Sequence, residues 1–174
     1  MDFTILEKIP LNFDKGLAIY GSAVTHILSK SESKWYPNDI DLVSNNIESY
    51  NSLRTLLNND CQYFNTYTSY QINIPSKFIA KWIINDVNLH LTFIETSLVD
   101  FFSNLDYFTI NSILYDKKNI LSYPNALDHL KSKNLKLCNK TSTKISKQYN
   151  LWISRGFIDI NNECQEKIKN ILNL

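Results

Sequence analysis

Leu17 to Val43 reads LAIYGSAVTHILSKSESKWYPNDIDLV, and it holds a strand, a tight turn, a helix start and a pair of carboxylates in that order. Leu17-Ala18-Ile19-Tyr20 is a short apolar run suited to a buried strand; Gly21-Ser22 breaks it, and AVTHIL then has helix-compatible spacing. The Gly-Ser dipeptide therefore falls at a strand-to-helix junction, where free backbone N–H groups point at any nearby anion. Gly21 lets a phosphate approach the main chain closely, and the Ser22 hydroxyl can cap the helix or donate to a phosphate oxygen. Further on, Asp39-Ile40-Asp41-Leu42-Val43 alternates polar and apolar, which in a strand puts both carboxylates on one face. Two like charges held side by side repel each other, and a divalent cation between them removes that repulsion; paired carboxylates with substrate phosphates are what magnesium prefers. Taken singly, Gly-Ser is also an ordinary turn and Asp-x-Asp an ordinary solvated strand face, so the weight rests on their order.

The rest of the composition bounds the answer. A chain of 174 residues is long enough for one compact unit with a buried core. Its formal charge of +1 exerts no general pull on nucleic acid or an acidic membrane, so polyanion binding needs a local basic patch. Cys61, Cys138 and Cys164 are scattered without a CxxC pair, which argues against a zinc site and a disulfide framework and fits a reducing compartment. No apolar run approaches about 18 residues, and MDFTILEKIP lacks the basic start and long apolar centre of a signal peptide. The expectation is a soluble, cytoplasmic protein with no membrane association.

Outward from the central stretch, residues 1 to 16 lead through an Asp14-Lys15-Gly16 turn into the first strand. SKSESKWYPND reads as a solvated connector, closed by Pro37, which extends the chain before the aspartates. Ile47, Tyr50, Leu53, Leu56 and Leu57 recur at helical spacing, predicting a helix that covers one face of the sheet. KFIAKWII and VNLHLTFIE, joined by Asn85-Asp86, predict a β-hairpin. In its second arm Val87, Leu89, Leu91 and Phe93 share one face, leaving Asn88, His90 and Thr92 on the other and Glu95 opposite to His90. A short helix, a junction and a second hairpin turning at Asp116 to Asn119 follow. Pro124 suits a helix first turn, with Ala126, Leu127 and Leu130 as its apolar face. Thr143 to Phe157 reads as a helix ended by Gly156, and Ile158 to Leu174 as a last amphipathic one.

The ordered pattern of apolar strand, Gly-Ser, helix, loop and Asp-x-Asp resembles the signature of the DNA polymerase β-like nucleotidyltransferase superfamily. Asp106-Tyr107-Phe108-Thr109-Ile110-Asn111 and Ser112-Ile113-Leu114-Tyr115-Asp116 resemble the Asp-Phe-Thr-Ile-Asn-Ala-x-Ala-Tyr-Asp segment of class II CCA-adding and bacterial poly(A) polymerases. Tyr107 stands where that family has an Asp, and Leu105-Asp106 replace its paired arginines. YPNALDHL resembles the following Asp-Pro-x-Gly-Gly-x-x-Asp-Leu region with the glycines lost. The order of features, from Leu17 to the closing Arg-Gly-Phe, is also similar to small nucleotidyltransferase-like proteins of phages and large DNA viruses.

The resemblance implies an α+β nucleotidyltransferase fold: a mixed, mostly antiparallel twisted sheet flanked by helices, with a head domain over residues 1–122 and a C-terminal helical extension over 123–174. It implies transfer of a nucleoside monophosphate from an NTP to a hydroxyl acceptor, an RNA 3′ end or a protein, with release of pyrophosphate. Asp39 and Asp41 would be catalytic, holding two Mg2+ ions about 4 Å apart. Gly21 and Ser22 would bind the β- and γ-phosphates. Counting back from Gly156-Phe157, Lys144 and Lys147 fall where the family carries the arginines of Arg-Leu-Leu-Arg-Ala, and i, i+3 lysines share a helix face from which to reach phosphates. The neighbouring strand of active members supplies a third carboxylate, and the aligned position is His90, a further candidate metal ligand or phosphate contact. That departure keeps a second reading open: an inactive nucleotidyltransferase-fold protein that binds nucleotide or RNA, or an antitoxin-like module that binds a protein partner.

Overall fold

The apolar run that opens the central stretch lies at the heart of the computed structural model, which describes residues 4–29, 34–60, 62–67, 76–84, 86–103, 108–138 and 145–172. After a one-turn helix α1 (Ile5–Lys8), strand β1 (Leu17–Tyr20) runs into α2 (Ser22–Ser29) through Gly21, whose φ of +73° is the left-handed conformation that glycine adopts without steric cost. Strand β2 (Asp39–Ser44) and helix α3 (Ile47–Asp60) follow, then β3 (Gln62–Tyr67), β4 (Ser76–Ile84) and β5 (Val87–Ile94). The chain continues with α4 (Leu98–Ser103), a 3-10 turn at Thr109–Asn111 and a hairpin of β6 (Ile113–Tyr115) and β7 (Ile120–Ser122). It closes with α5 (Ala126–Lys131), α6 (Ile145–Ser154) and α7 (Glu163–Leu172).

The seven strands form one sheet in the order β3-β4-β5-β2-β1-β6-β7. Every neighbouring pair is antiparallel except β2 with β5, so the sheet is mixed and mostly antiparallel, as expected. Period-2 alternation sorts its faces. Ile19, Ile40, Leu42, Leu89 and Leu91 join Tyr50, Leu53 and Leu57 of α3 and Ala23 and Val24 of α2 in the main core. Ala18, Val43, Ile94 and Leu114 point the other way and meet Leu98 and Phe101 of α4 in a second, smaller core. Asp39 and Asp41 have the parity of Val43, and His90 that of Ile94, so all three stand on the second face, in line with that small core.

The helical reading of Ile47 to Leu57 holds, but Ile47 and Leu56 are exposed while Tyr50, Leu53 and Leu57 carry the contact, which the Trp82 Nε1 bond to Asn58 Oδ1 (2.9 Å) reinforces. Pro124 lies just before α5, not in its first turn, because Asn125 (φ +61°) turns left-handed ahead of the helix. The last helix begins at Glu163, five residues later than the pattern suggested. Asn161 and Asn162 are left-handed, and Asp159 caps the helix start by accepting the N–H groups of Cys164 (3.0 Å) and Gln165 (2.9 Å). Leu130, Leu135, Ile145, Trp152, Phe157, Cys164 and Ile168 belong to the main core cluster, so the closing helices share it with the sheet. Among the described residues Cys138 and Cys164 are in no disulfide, and burial pushes the Cys164 thiol up to about 12. Cys61, Asn85, Leu105, Asp106 and Tyr107 lie outside the described residues. Among the described residues no helix is long and apolar enough to cross a membrane.

The second hairpin is tied to the N-terminal segment by one buried carboxylate. Asp116 accepts hydrogen bonds from the N–H groups of Phe13 (3.0 Å), Lys118 (3.0 Å) and Asn119 (2.6 Å) and from the Asn119 amide (3.2 Å). Burial raises its pKa, but these donors together outweigh burial and hold it below the usual carboxylate range. A depressed folded pKa means stability that is present above the unfolded value of about 3.9 and is lost as pH falls through the folded value. Thermal denaturation of Asp116→Ala at neutral pH is expected to show a loss of about 1–3 kcal/mol, since three backbone donors lose their acceptor. Acidification below about pH 4 is expected to destabilise the wild-type protein more than the variant.

Candidate active site

Cross-strand register brings the sequence-selected residues to one place. Tyr20 pairs with Asp41 across β1 and β2, and Asp41 pairs with His90 across β2 and β5, so the end of β1, the aspartate pair and His90 form a row across three adjacent strands. The glycine bend sits directly against it: a Cβ built on Gly21 would meet Asp41 Oδ2 at 3.4 Å. His90 Nδ1 lies 3.0 Å from Asp41 Oδ1. One donor atom from each of Asp39, Asp41 and His90 falls within 4.8 Å of the others, and this is the one such group of three among the described residues.

These side chains open into a cavity of about 160 Å³ lined by Tyr20, Gly21, Ser22, Asn38, Asp39, Asp41, Asn111, Gln148, Leu151 and Arg155. A larger hollow of about 750 Å³ lies elsewhere, lined by Leu6, Leu11, Ile19, His26, Ile27 and Tyr115 among others. Size favours the second, but it lacks converging carboxylates; chemistry favours the first. Ser22 stands at the first helical position of α2, and the Gly21 carbonyl accepts the Thr25 N–H (3.2 Å), so Gly21 and not the Ser22 hydroxyl begins the helix. Thr25 fixes that junction further by donating its hydroxyl to Ile110 O at 2.7 Å.

Burial and the adjacent Asp41 charge push the Asp39 carboxyl above the usual carboxylate range, with His90, Arg155 and Lys81 pulling it back. Two carboxylates so placed store repulsion that a cation relieves. Arg155 faces them from the end of α6. Its guanidinium carbon lies 4.2 Å from the Trp35 ring centroid and 4.7 Å from that of Trp152. Its Nη1 is buried without a hydrogen-bond partner among the described residues. Burial lowers the Arg155 pKa from its ordinary value, and the Asp39 charge opposes that shift.

Sequence reasoning did not select Arg155, Gln148 or Trp35. Helix α6 turns Gln148, Leu151 and Arg155, spaced i, i+3, i+7, toward the cavity. Lys147, one residue and about 100° away, is exposed and does not line it; Lys144 lies outside the described residues. The end of the supposed solvated connector also packs: Trp35 meets Trp152 edge-on at 5.4 Å, and Pro37 is buried. The i, i+3, i+7 spacing was visible in the sequence, but only docking of the helix shows which of its faces is turned inward.

Comparison with known proteins follows the same lines. No protein-family model and no curated protein matches the sequence. Solved structures do. A tRNA nucleotidyltransferase complexed with a primer tRNA and an incoming ATP analog superposes with a TM-score of 0.61 at 20% identity, over 98% of this chain and 49% of that one. The Thermotoga maritima CCA-adding enzyme complexed with tRNA-CCA gives 0.64 at 14% identity, over 99% and 43%. This chain has the nucleotidyltransferase fold. A CCA-adding enzyme in complex with CTP gives 0.61 at 16% identity, over 99% and 42%. The chain thus spans just under half the length of the solved nucleotidyltransferases it matches.

The left-handed Gly21 is the tightest backbone constraint in this site. Gly21→Ala is expected to lower stability by about 1–2 kcal/mol in chemical denaturation, the cost of an L-residue in that conformation, and to press the new methyl against Asp41.

Proposed function

We propose that the chain is a metal-dependent nucleotidyltransferase that moves a nucleoside monophosphate from an NTP to a hydroxyl acceptor and releases pyrophosphate. The observation that carries this reading is the row of Tyr20, Asp41 and His90 across three strands, with Asp39 beside it and the Gly21 bend against Asp41, in a fold shared with enzymes solved with ATP analog, CTP and tRNA. The donor set fits a divalent ion: two carboxylates and an imidazole converge, and a cation between the carboxylates would relieve their mutual repulsion. Such an ion, when bound, lowers the pKa of an attacking hydroxyl and neutralises charge on the leaving phosphates.

The remaining steps belong to the chain's own groups. The backbone at Gly21 approaches the phosphates without a side chain in the way, and the first turn of α2 offers N–H donors where negative charge accumulates. Ser22 adds a hydroxyl donor. Arg155, packed against the rings of Trp35 and Trp152, presents its guanidinium to phosphate oxygens and replaces Lys147 as the cation that the closing helix supplies. Asn38 and Asn111 line the same wall and hold polar groups against the nucleotide. An RNA 3′ end is the favoured acceptor, because solved relatives of this fold carry tRNA. Those structures are more than twice as long as the matched region.

A second reading, a nucleotide-binding module without catalysis, draws on one observation: among the described residues the cavity holds two carboxylates, with His90 next to them in place of a third. Incubation with each labelled NTP, divalent metal and RNA decides between the two. The expected result is labelled product that falls to background in Asp39→Asn and Asp41→Asn. Nucleotide binding without product under every condition would favour the module. For Arg155→Met, which removes the charge but keeps an apolar side chain beside the rings, calorimetry is expected to show NTP affinity reduced about tenfold or more, the usual weight of a charge-assisted hydrogen bond.

A further inference from the structure

The imidazole in the donor set has a consequence for which ion the site takes. Magnesium demands near-octahedral oxygen ligands and gives up its waters reluctantly. Imidazole nitrogen binds first-row transition ions more readily, and carboxylates serve both classes. A site of carboxylates alone therefore suits magnesium, whereas one with a histidine tips the balance.

His90 is placed to be a ligand by backbone register alone. It stands opposite Asp41 in the parallel pairing of β2 and β5, on the face that Asp39 and Asp41 share, and it is only partly exposed. Its Nδ1 lies 3.0 Å from Asp41 Oδ1. That spacing is a hydrogen bond when Nδ1 carries a proton; with Nδ1 unprotonated, the same two atoms would both be free to hold one ion. Asp39 completes three donors within 4.8 Å. Asp86 and Glu95, the acids nearest His90 in sequence, are both exposed and lie just outside the two ends of β5.

We propose that His90 is the third protein ligand of this site and that it makes the site select a first-row transition ion, probed here as Mn2+, over the Mg2+ expected from sequence. This rests on the reading of Asp39 and Asp41 as metal ligands. Nitrogen ligation and ion preference are both measurable without turnover.

Metal-free wild-type protein, His90→Asp and Asp41→Asn are titrated calorimetrically with MnCl2 and MgCl2, and the Mn2+-loaded wild-type protein is examined by pulsed EPR. The wild-type ratio of Mn2+ to Mg2+ affinity is expected to exceed that of His90→Asp by tenfold or more, with Asp41→Asn weakening both ions. The wild-type EPR is expected to show 14N coupling from a directly bound imidazole; because it is read on the unaltered chain, it stands whether or not a variant folds. Absence of that coupling, or an equal ion preference in wild type and His90→Asp, overturns the assignment while leaving the aspartate pair as ligands. Failure of the wild-type protein to bind either ion at a site sensitive to Asp41→Asn overturns both this proposal and the reading beneath it.

Discussion

The parallel pairing of β2 with β5 is the constraint on which the rest of the site depends. Among the described residues it is the single parallel strand pairing in the sheet, and its register sets Asp41 opposite His90 while the antiparallel partner on the other side sets Asp41 opposite Tyr20, one residue before the glycine bend. A slip by one residue would exchange the faces of the strand, turning both aspartates into the main core and Ile40 and Leu42 out of it. Ile40 and Leu42 are fully buried, so the apolar face locks the register and the polar face inherits its geometry. Core packing thereby holds the carboxylates in place even though they repel each other.

The two cores divide this labour unequally. The main cluster takes residues from β1, β2, β4, β5 and β6 on one face of the sheet and from the closing helices as well, whereas the smaller cluster of Ala18, Val43, Ile94, Leu98, Phe101 and Leu114 covers only part of the opposite face. Where that cover stops, the aspartates meet a cavity of about 160 Å³. Helix α6 supplies a wall of this cavity. Trp152 anchors the helix in the main core and meets Trp35 edge-on, and Arg155, one turn on, packs against both rings. The guanidinium is thus held by apolar contacts, leaving its Nη1 without a hydrogen-bond partner among the described residues and its charge directed at Asp39.

Much of this was legible in the sequence because it depends on local rules. The bend at Gly21, the shared face of Asp39 and Asp41, both hairpins and the parity of His90 follow from period 2, turn chemistry and one glycine. Those rules say nothing about how elements dock. Lys147 was chosen from spacing relative to Gly156, but α6 presents Gln148, Leu151 and Arg155 instead, a rotation that only tertiary packing determines. Trp35 sat in a stretch read as solvated connector, and a lone tryptophan beside a proline carries no sign that it will stack on a helix two-thirds of the chain away. The start of α7 was missed for a different reason: Asp159 caps it across a left-handed Asn pair, a local device that interrupts the apolar period.

The proposed chemistry needs a metal-borne nucleotide between the aspartate pair and the glycine bend. A crystal structure of the full chain with a non-hydrolysable NTP and Mn2+ tests this most directly. The predicted result is an ion bound by Asp39, Asp41 and His90, with the triphosphate running along Gly21 and Ser22 toward Arg155. Nucleotide seated in the larger hollow beside Leu11 and Ile27, or an ion bound away from the aspartates, would contradict it.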